Sequence, residues 1–279
     1  MEQQNSFIEV IKKHIEQGNV VLPVFNSAAM KVQQELVKKE PDTRVLENVI
    51  VTDQSLSSLV LQMANSSFYK GLVEVKTVRA AIVRLGMREV GRISLLVASK
   101  NQFRSGNNRL NLVMRKLWQH SVGCALGARW LTKRCKLDNL ESHSFFAGLF
   151  HDVGKLLVLM VVEQLRKKDP KFPITDALLM EAMTSLHETQ GYYLMKLWNM
   201  PESYCVVARD HHKDHYDEAN ELLMLVRIAN MMCNKVGIGL RKDPTLMVSV
   251  LEETHHFNLT EIDLAEMEIV FEDTAVLTR

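Results

Sequence analysis

The chain has 279 residues, 47% hydrophobic and 24% charged, with 34 basic against 33 acidic side chains and a formal net charge of +1. These values suit one or two globular domains with ample core and exclude a chain disordered over most of its length. They lack the clustered basic excess of a nucleic-acid binder; Lys167, Lys168 and Lys171 read as a solvated helix end.

The N-terminal segment MEQQNSFIEVIKKHIEQG is amphipathic and lacks the apolar centre of a signal peptide. The strongest apolar run, Leu156 to Val162, is too short to cross a bilayer, so a cytoplasmic location is expected. Only 12 glycines and 6 prolines punctuate the chain, and its abundant Met, Leu, Ala, Lys, Glu and Gln favour helix. Leu56, Leu59, Val60 and Met63 fall at helical spacing behind Asp53, a suitable N-cap. Asn65-Ser66-Ser67 followed by Gly71 reads as the end of that helix, and no base is spaced to activate either serine.

A second helix starts near Val78, uses Ala81, Ile82 and Leu85, and stops at Gly86; the next runs through Val90, Ile93, Leu96 and Val97. Gln102 to Arg109 (QFRSGNNR) is the linker, with its turn at Gly106-Asn107-Asn108. Further helices are expected over Leu112 to Lys133, Ser142 to Gln164, Thr175 to Trp198, Glu202 to His211 and Asn220 to Val236. Beyond Leu240, MEIVF at 267–271 allows a short helix or one strand. The expected class is all-α, with two packed helical subdomains over 1–104 and 105–279 that share one core because the linker is short. Cys124, Cys135, Cys205 and Cys233 form no CxxC pair and read as reduced thiols rather than a disulfide framework or zinc knot.

The chemistry sits in the histidines. His120 lies in a helix, His151-Asp152 opens HDVGK, His187 follows, and His211 and His212 are adjacent. Imidazoles with a His-Asp pair and a later oxygen donor can hold a divalent metal, which activates water and polarises a phosphoryl oxygen. Neighbouring helical residues point about 100° apart, so His151 and Asp152 converge on one ion only near a helix end or across a bundle crevice. Gly154 permits close approach there, and Lys155 is placed to meet an anionic ligand.

Leu22-Pro23, VTDQSLSSLVLQMANSSFY ending at Tyr69, TVRAAIVRLGMREVGRI from Thr77 to Ile93, FFAGLFHDVGK, and the run from His187 through Gly191, Leu194, Trp198 and Pro201 to His211-His212 occur in this order. Together they resemble the HDOD domain, a signalling branch of the HD metal-dependent phosphohydrolases, over roughly residues 20 to 236. The resemblance implies His120, His151 and Asp152 as metal ligands, with His187, His211, His212 and Asn230 as the remaining candidates. It implies Asp152 and Lys155 as the catalytic residues, and a divalent metal (Fe, Mn, Zn, Ni or Mg) or none as cofactor. HD hydrolases carry an aspartate after alanine on a late helix; here Asn230 follows Ala229 in VRIANMMC. A neutral amide binds a hard cation more weakly, which fits a branch generally regarded as lacking demonstrated catalysis.

The residues leave alternatives open. The polar set is either a retained metal site or a hydrogen-bonded network that holds helices together. His187 by itself reads as a structural or outer-shell histidine rather than a ligand, and His211 and His212 need not both face inward. His143 and His215 read as surface residues, while His255 and His256 carry no assignment. Trp118, Trp198 and Tyr193 read as core rather than base-stacking residues, and Met195, Met200, Met231 and Met232 are candidates to line a pocket. The expected function is a non-catalytic or weakly catalytic signalling module. It would work with signalling proteins in trans or bind a nucleotide or other small anion, away from membranes. The alternative is a metal-dependent phosphohydrolase acting on a nucleotide or other phosphoester, and direct nucleic-acid binding is the disfavoured third class.

Overall fold

Local capping and periodic apolar stripes set the elements. The computed structural model describes residues 2–18, 20, 31, 32, 35, 38, 40–65 and 73–277, and every regular element among them is helical. The fold is all-α, as expected. Leu22-Pro23, Ser66, Ser67, Tyr69 and Gly71 lie outside the described residues.

The chain forms two compact units, Val24–Gln102 and Met1–Pro23 together with Phe103–Arg279. Helix α1 (Glu2–Glu16) therefore belongs with the later helices, not with residues up to 104 as the sequence suggests. The reason is its apolar stripe. Ile11 and Ile15 are buried, and Phe7 stacks on Phe172 with ring centroids 5.3 Å apart.

The smaller unit holds α2 (Thr43–Val51), α3 (Gln54–Ala64), α4 (Val78–Leu85) and α5 (Met87–Lys100). Asp53 caps α3, its Oδ1 accepting from the Leu56 amide at 3.0 Å. Thr77 does the same for α4. Asn65 does more than end a helix: its side chain exchanges two hydrogen bonds, each 2.8 Å, with the Val75 backbone. Leu46, Ile50, Leu56, Val60, Ala81 and Val90 fill this unit's core.

In the larger unit the long α6 (Asn108–Arg134) starts on the Asn107 side chain, which accepts from the Arg109 and Leu110 amides. Packed on it are α7 (Glu141–Phe150), α11 (Glu221–Val236) and α13 (Glu261–Leu277). Helices α8 (Val153–Lys168) and α9 (Asp176–Leu197) run along each other and lead to α10 (Glu202–Asp210); the short α12 (Glu252–His256) precedes α13. MEIVF lies inside α13, where Met267 and Phe271, four apart, are both buried.

The helix expected over Ser142 to Gln164 is broken at His151-Asp152 into α7 and α8. The stretch Asp138–Lys168 is long and apolar enough to cross a membrane by composition, yet 89% of its apolar window is buried inside the protein. Its apolarity is that of a core element. Trp118 packs in the core against Phe103, whereas Tyr193 is exposed, contrary to the core reading. Met195, Met200 and Met232 are core residues too, and the cleft described below is lined instead by Met180 and Met183.

Candidate metal centre

Four elements of the larger unit converge on one carboxylate. His120 projects from the middle of α6, and His187 from α9. His211 stands at the C-terminal end of α10, and His151 and Asp152 form the break between α7 and α8. That break lets two neighbouring side chains serve one centre. The Asp152 side chain is fully buried, and its carboxylate lies between two pairs of imidazoles. Oδ2 is 3.5 Å from the Nε2 atoms of both His120 and His151. Oδ1 is 3.6 Å from Nε2 of His187 and 3.4 Å from Nε2 of His211.

The opposite ring nitrogens fix the proton positions. Each Nδ1 faces a backbone carbonyl, which can only accept: Ile238 at 3.0 Å for His120, Gly148 at 2.8 Å for His151, Thr184 at 3.2 Å for His187 and Val207 at 3.1 Å for His211. Nδ1 therefore carries the hydrogen, and in the neutral ring Nε2 presents its lone pair. Such outer contacts are what orient a metal-binding histidine.

This arrangement passes a test of fit to a metal. Nε2 of His151, His187 and His211 and Oδ1 of Asp152 are buried without a hydrogen-bond partner. Lone pairs facing a carboxylate at this spacing repel one another unless a cation or protons lie between them. Two atoms each about 2.1 Å from one ion sit about 3.0–3.4 Å apart, so the observed separations need only a slight contraction. The donor atoms fall into two overlapping sets around Asp152, one with His120 and His151, the other with His187, His211 and His212.

The electrostatics hold Asp152 ionised and His187 neutral, whereas at His120 burial pushes the pKa down but Cys124 and Asp152 beside the ring outweigh it and raise it to about 9. Burial pushes the Asp152 carboxyl upward, but the Lys155 ammonium, 2.6 Å from Oδ2, and the His151 ring outweigh it and hold the group well below its ordinary value. Burial drives His187 down to about 3 against the pull of Asp152, so its ring is neutral at pH 7. The Cys124 thiol beside His120 is pushed up to about 12 by burial and by contact with Cys233.

The model of the HDOD domain matches residues 22–214, more than half of the chain. The chain belongs to the HDOD family. Two solved structures share the HDOD chain's fold at 18% identity and a TM-score of 0.74. One is "Putative metal-dependent phosphohydrolase" from Shewanella amazonensis SB2B, with all of both chains covered. The other is an HDOD domain protein of unknown function from Geobacter sulfurreducens, with 98% of this chain and 96% of that one covered. A third, "Putative signal transduction protein" from Marinobacter aquaeolei VT8, has a TM-score of 0.70 at 19% identity, covering 98% of this chain and 64% of that one. Among curated relatives, the uncharacterized protein YuxH of Bacillus subtilis is 25% identical over 170 residues, 61% of this chain and 39% of YuxH. The HDOD chain thus spans well under half the length of that relative.

A narrow cleft opens over Asp152, with about 20 Å³ free for the centre of a water molecule. That is room for one water rather than a nucleotide. Asn230 lines it, buried, with Asn234 donating to its Oδ1 at 3.4 Å. Lys155 lies at the cleft and is paired with Asp152, while the exposed His212 stands at the mouth with its ring 4.2 Å from that of His211. Of the histidines read as surface residues, His215 is exposed, but His143 is half-buried and meets the Tyr204 hydroxyl at 2.8 Å.

Sequence reasoning missed three features. Thr184 and Arg241, joined by a 3.2 Å hydrogen bond, form one wall of the cleft. Arg227 donates to the carbonyls of His211 and Lys213 at 3.1 and 2.8 Å and pairs with buried Glu253, pinning the turn that carries His211. Cys124 and Cys233 stand beside His120. Only the last had a sequence signal, because Cys124 is one helical turn beyond His120.

Proposed function

We propose that this HDOD chain is a cytoplasmic signal-transduction module. Its histidine–aspartate centre binds a divalent metal and hydrolyses phosphoesters weakly or not at all. One observation carries the reading: an intact, proton-locked imidazole set surrounds Asp152, while the oxygen donor that α11 offers at the cleft is the neutral amide of Asn230. In this reading His151, Asp152, His187 and His211 hold the ion, with His120 within reach. A bound ion would lower the pKa of its water and polarise a phosphoryl oxygen. Asn230 supplies a dipole where a charge would hold a hard cation and its hydroxide more tightly. The cleft admits one water, so a phosphoester must open it before any reaction. Lys155 and Arg241 at the cleft suit a small anion, and the names of the fold relatives, one a phosphohydrolase and one a signal-transduction protein, fit the two halves of the proposal.

Metal analysis of the purified chain, followed by phosphomonoesterase and phosphodiesterase assays with added Mn2+, tests it. About one or two ions per chain with turnover far below the ordinary enzymatic range of about 1–1,000 per second is expected. Turnover within that range would replace this reading with the metal-dependent phosphohydrolase. Failure to bind any divalent ion would leave only a hydrogen-bonded structural network.

A further inference from the structure

We propose that Cys124, Cys233 and His120 form a second metal site, suited to a thiophilic ion such as Zn2+ or Cd2+, which draws on the same imidazole as the histidine–aspartate centre. The donor atoms of the three side chains lie within 4.8 Å of one another, and all three residues are buried. His120 Nε2 is 3.6 Å from Cys124 Sγ. A tetrahedral zinc with Zn–S of about 2.3 Å and Zn–N of about 2.05 Å places sulfur and nitrogen about 3.55 Å apart. The His120–Cys124 pair on α6 thus already has the required spacing, and the Cys233 sulfur on α11 lies within 4.8 Å of both.

The packing around the cluster prepares it. Cys124 follows His120 by one turn of α6, so the two share a face. Cys233 enters from α11 against Gly123, where an added Cβ would lie 2.9 Å from its sulfur. The missing side chain at 123 is what lets the second thiol reach the first. On the other side of the ring, Gly239 adopts a φ of +116°, and a Cβ there would lie 2.7 Å from His120 Cβ. This close turn brings the Ile238 carbonyl onto Nδ1 and directs Nε2 toward Cys124 and Asp152.

That single nitrogen stands between two sets of donor atoms, 3.5 Å from Asp152 Oδ2 and 3.6 Å from Cys124 Sγ. It serves one ion at a time. Soft thiolates favour zinc-like ions, whereas carboxylate and imidazole accept the harder Mn2+ and Fe2+. As a thiophilic ion binds, each thiol and the His120 Nε2 release their protons to solvent, and the ion takes His120 away from the neighbouring centre. The site does not depend on whether that centre hydrolyses anything.

Titrating the reduced full-length protein with Cd2+ tests the proposal through the ultraviolet charge-transfer band that only thiolate-bound cadmium gives. A band saturating at one ion per chain is expected in the wild type. It persists in Asp152→Asn, which takes the carboxylate charge from the neighbouring centre and leaves all three donors of this site in place, and is lost in the Cys124→Ser/Cys233→Ser double variant. His120→Ala keeps the band but weakens affinity by at least about tenfold, since even outer contacts to a metal ligand cost about 10–100-fold. Absence of the band in saturated wild-type protein, which needs no variant to fold, overturns the proposal. So does a band that survives in the double variant and therefore comes from Cys135 or Cys205, or an affinity indifferent to His120.

Discussion

Replacing Gly154 by alanine tests how the break between α7 and α8 is held. Gly154 sits in the first turn of α8, directly against α9. An added Cβ would drive into the carbonyl oxygen of His187, and would lie 2.6 Å from the Gly191 nitrogen and 2.7 Å from the His187 carbonyl carbon. All three atoms are backbone and cannot turn aside, so α8 and α9 must separate. Forcing extra atoms into a packed interior costs about 1–3 kcal/mol, and the rigid obstacle places this case at or above about 3 kcal/mol. For a domain of this size that lowers Tm by about 6–12 °C. His187 moves with its own carbonyl, so Mn2+ affinity falls as well.

Gly191 provides the contrast. A Cβ there would rest 3.4 Å from the Gly154 nitrogen and 3.5 Å from Ala208 Cβ, ordinary contacts, inside α9. Gly191→Ala therefore changes stability little, or raises it by up to about 1 kcal/mol through helix propensity. Thermal and urea unfolding of both variants, with Mn2+ titrations, decides the matter. A Gly154→Ala protein within about 1 kcal/mol of wild type, or a Gly191→Ala protein as damaged as Gly154→Ala, would refute the reasoning.

Three further outcomes are expected. In chelated protein, His187 titrates near 3 folded and 6.5 unfolded; between these values the unfolded chain binds more protons, so each unit by which the pH is lowered removes about 1.4 kcal/mol of stability. Asp152 is shifted below 3.8 and adds its loss only lower still, as pH falls through its folded value; urea melts that stay flat from pH 6.5 to 5 would contradict the burial of a neutral His187. Arg227→Ala strands buried Glu253 and frees the His211 and Lys213 carbonyls, at a cost of about 3–5 kcal/mol in unfolding free energy, and Arg227→Lys restores only part because an ammonium cannot span these partners. Asn230→Asp replaces a neutral donor by a charged one, worth about 1.4 kcal/mol or about tenfold in Mn2+ affinity measured by calorimetry; unchanged affinity would remove residue 230 from the centre.

What the sequence discloses follows from how local each cause is. Asp53, Thr175 and Asn220 mark helix starts because the cap and the amides it satisfies lie within three residues, whereas Asn107, read as a turn with the helix expected only from Leu112, caps a helix that begins at Asn108. The amphipathic face of α1 is equally plain, but a stripe does not name its partner, and Phe172 lies far along the chain. The break at His151-Asp152 is hidden inside an apolar run that continues helical periodicity on both sides. It depends on the His151 ring taking the Gly148 carbonyl and on α9 pressing against Gly154. The same distinction runs through the centre itself. Gly148, Thr184 and Val207, which lock the rings of His151, His187 and His211, lie three or four residues upstream of them, so each helix prepares its own donor. His120 is locked by Ile238, 118 residues away, through the turn that Gly239 permits. Three donors are thus written into their own helices, whereas the one that two metal sites would share is set by tertiary contact, and a shift of the 237–239 turn would alter His120 while leaving the other three in place.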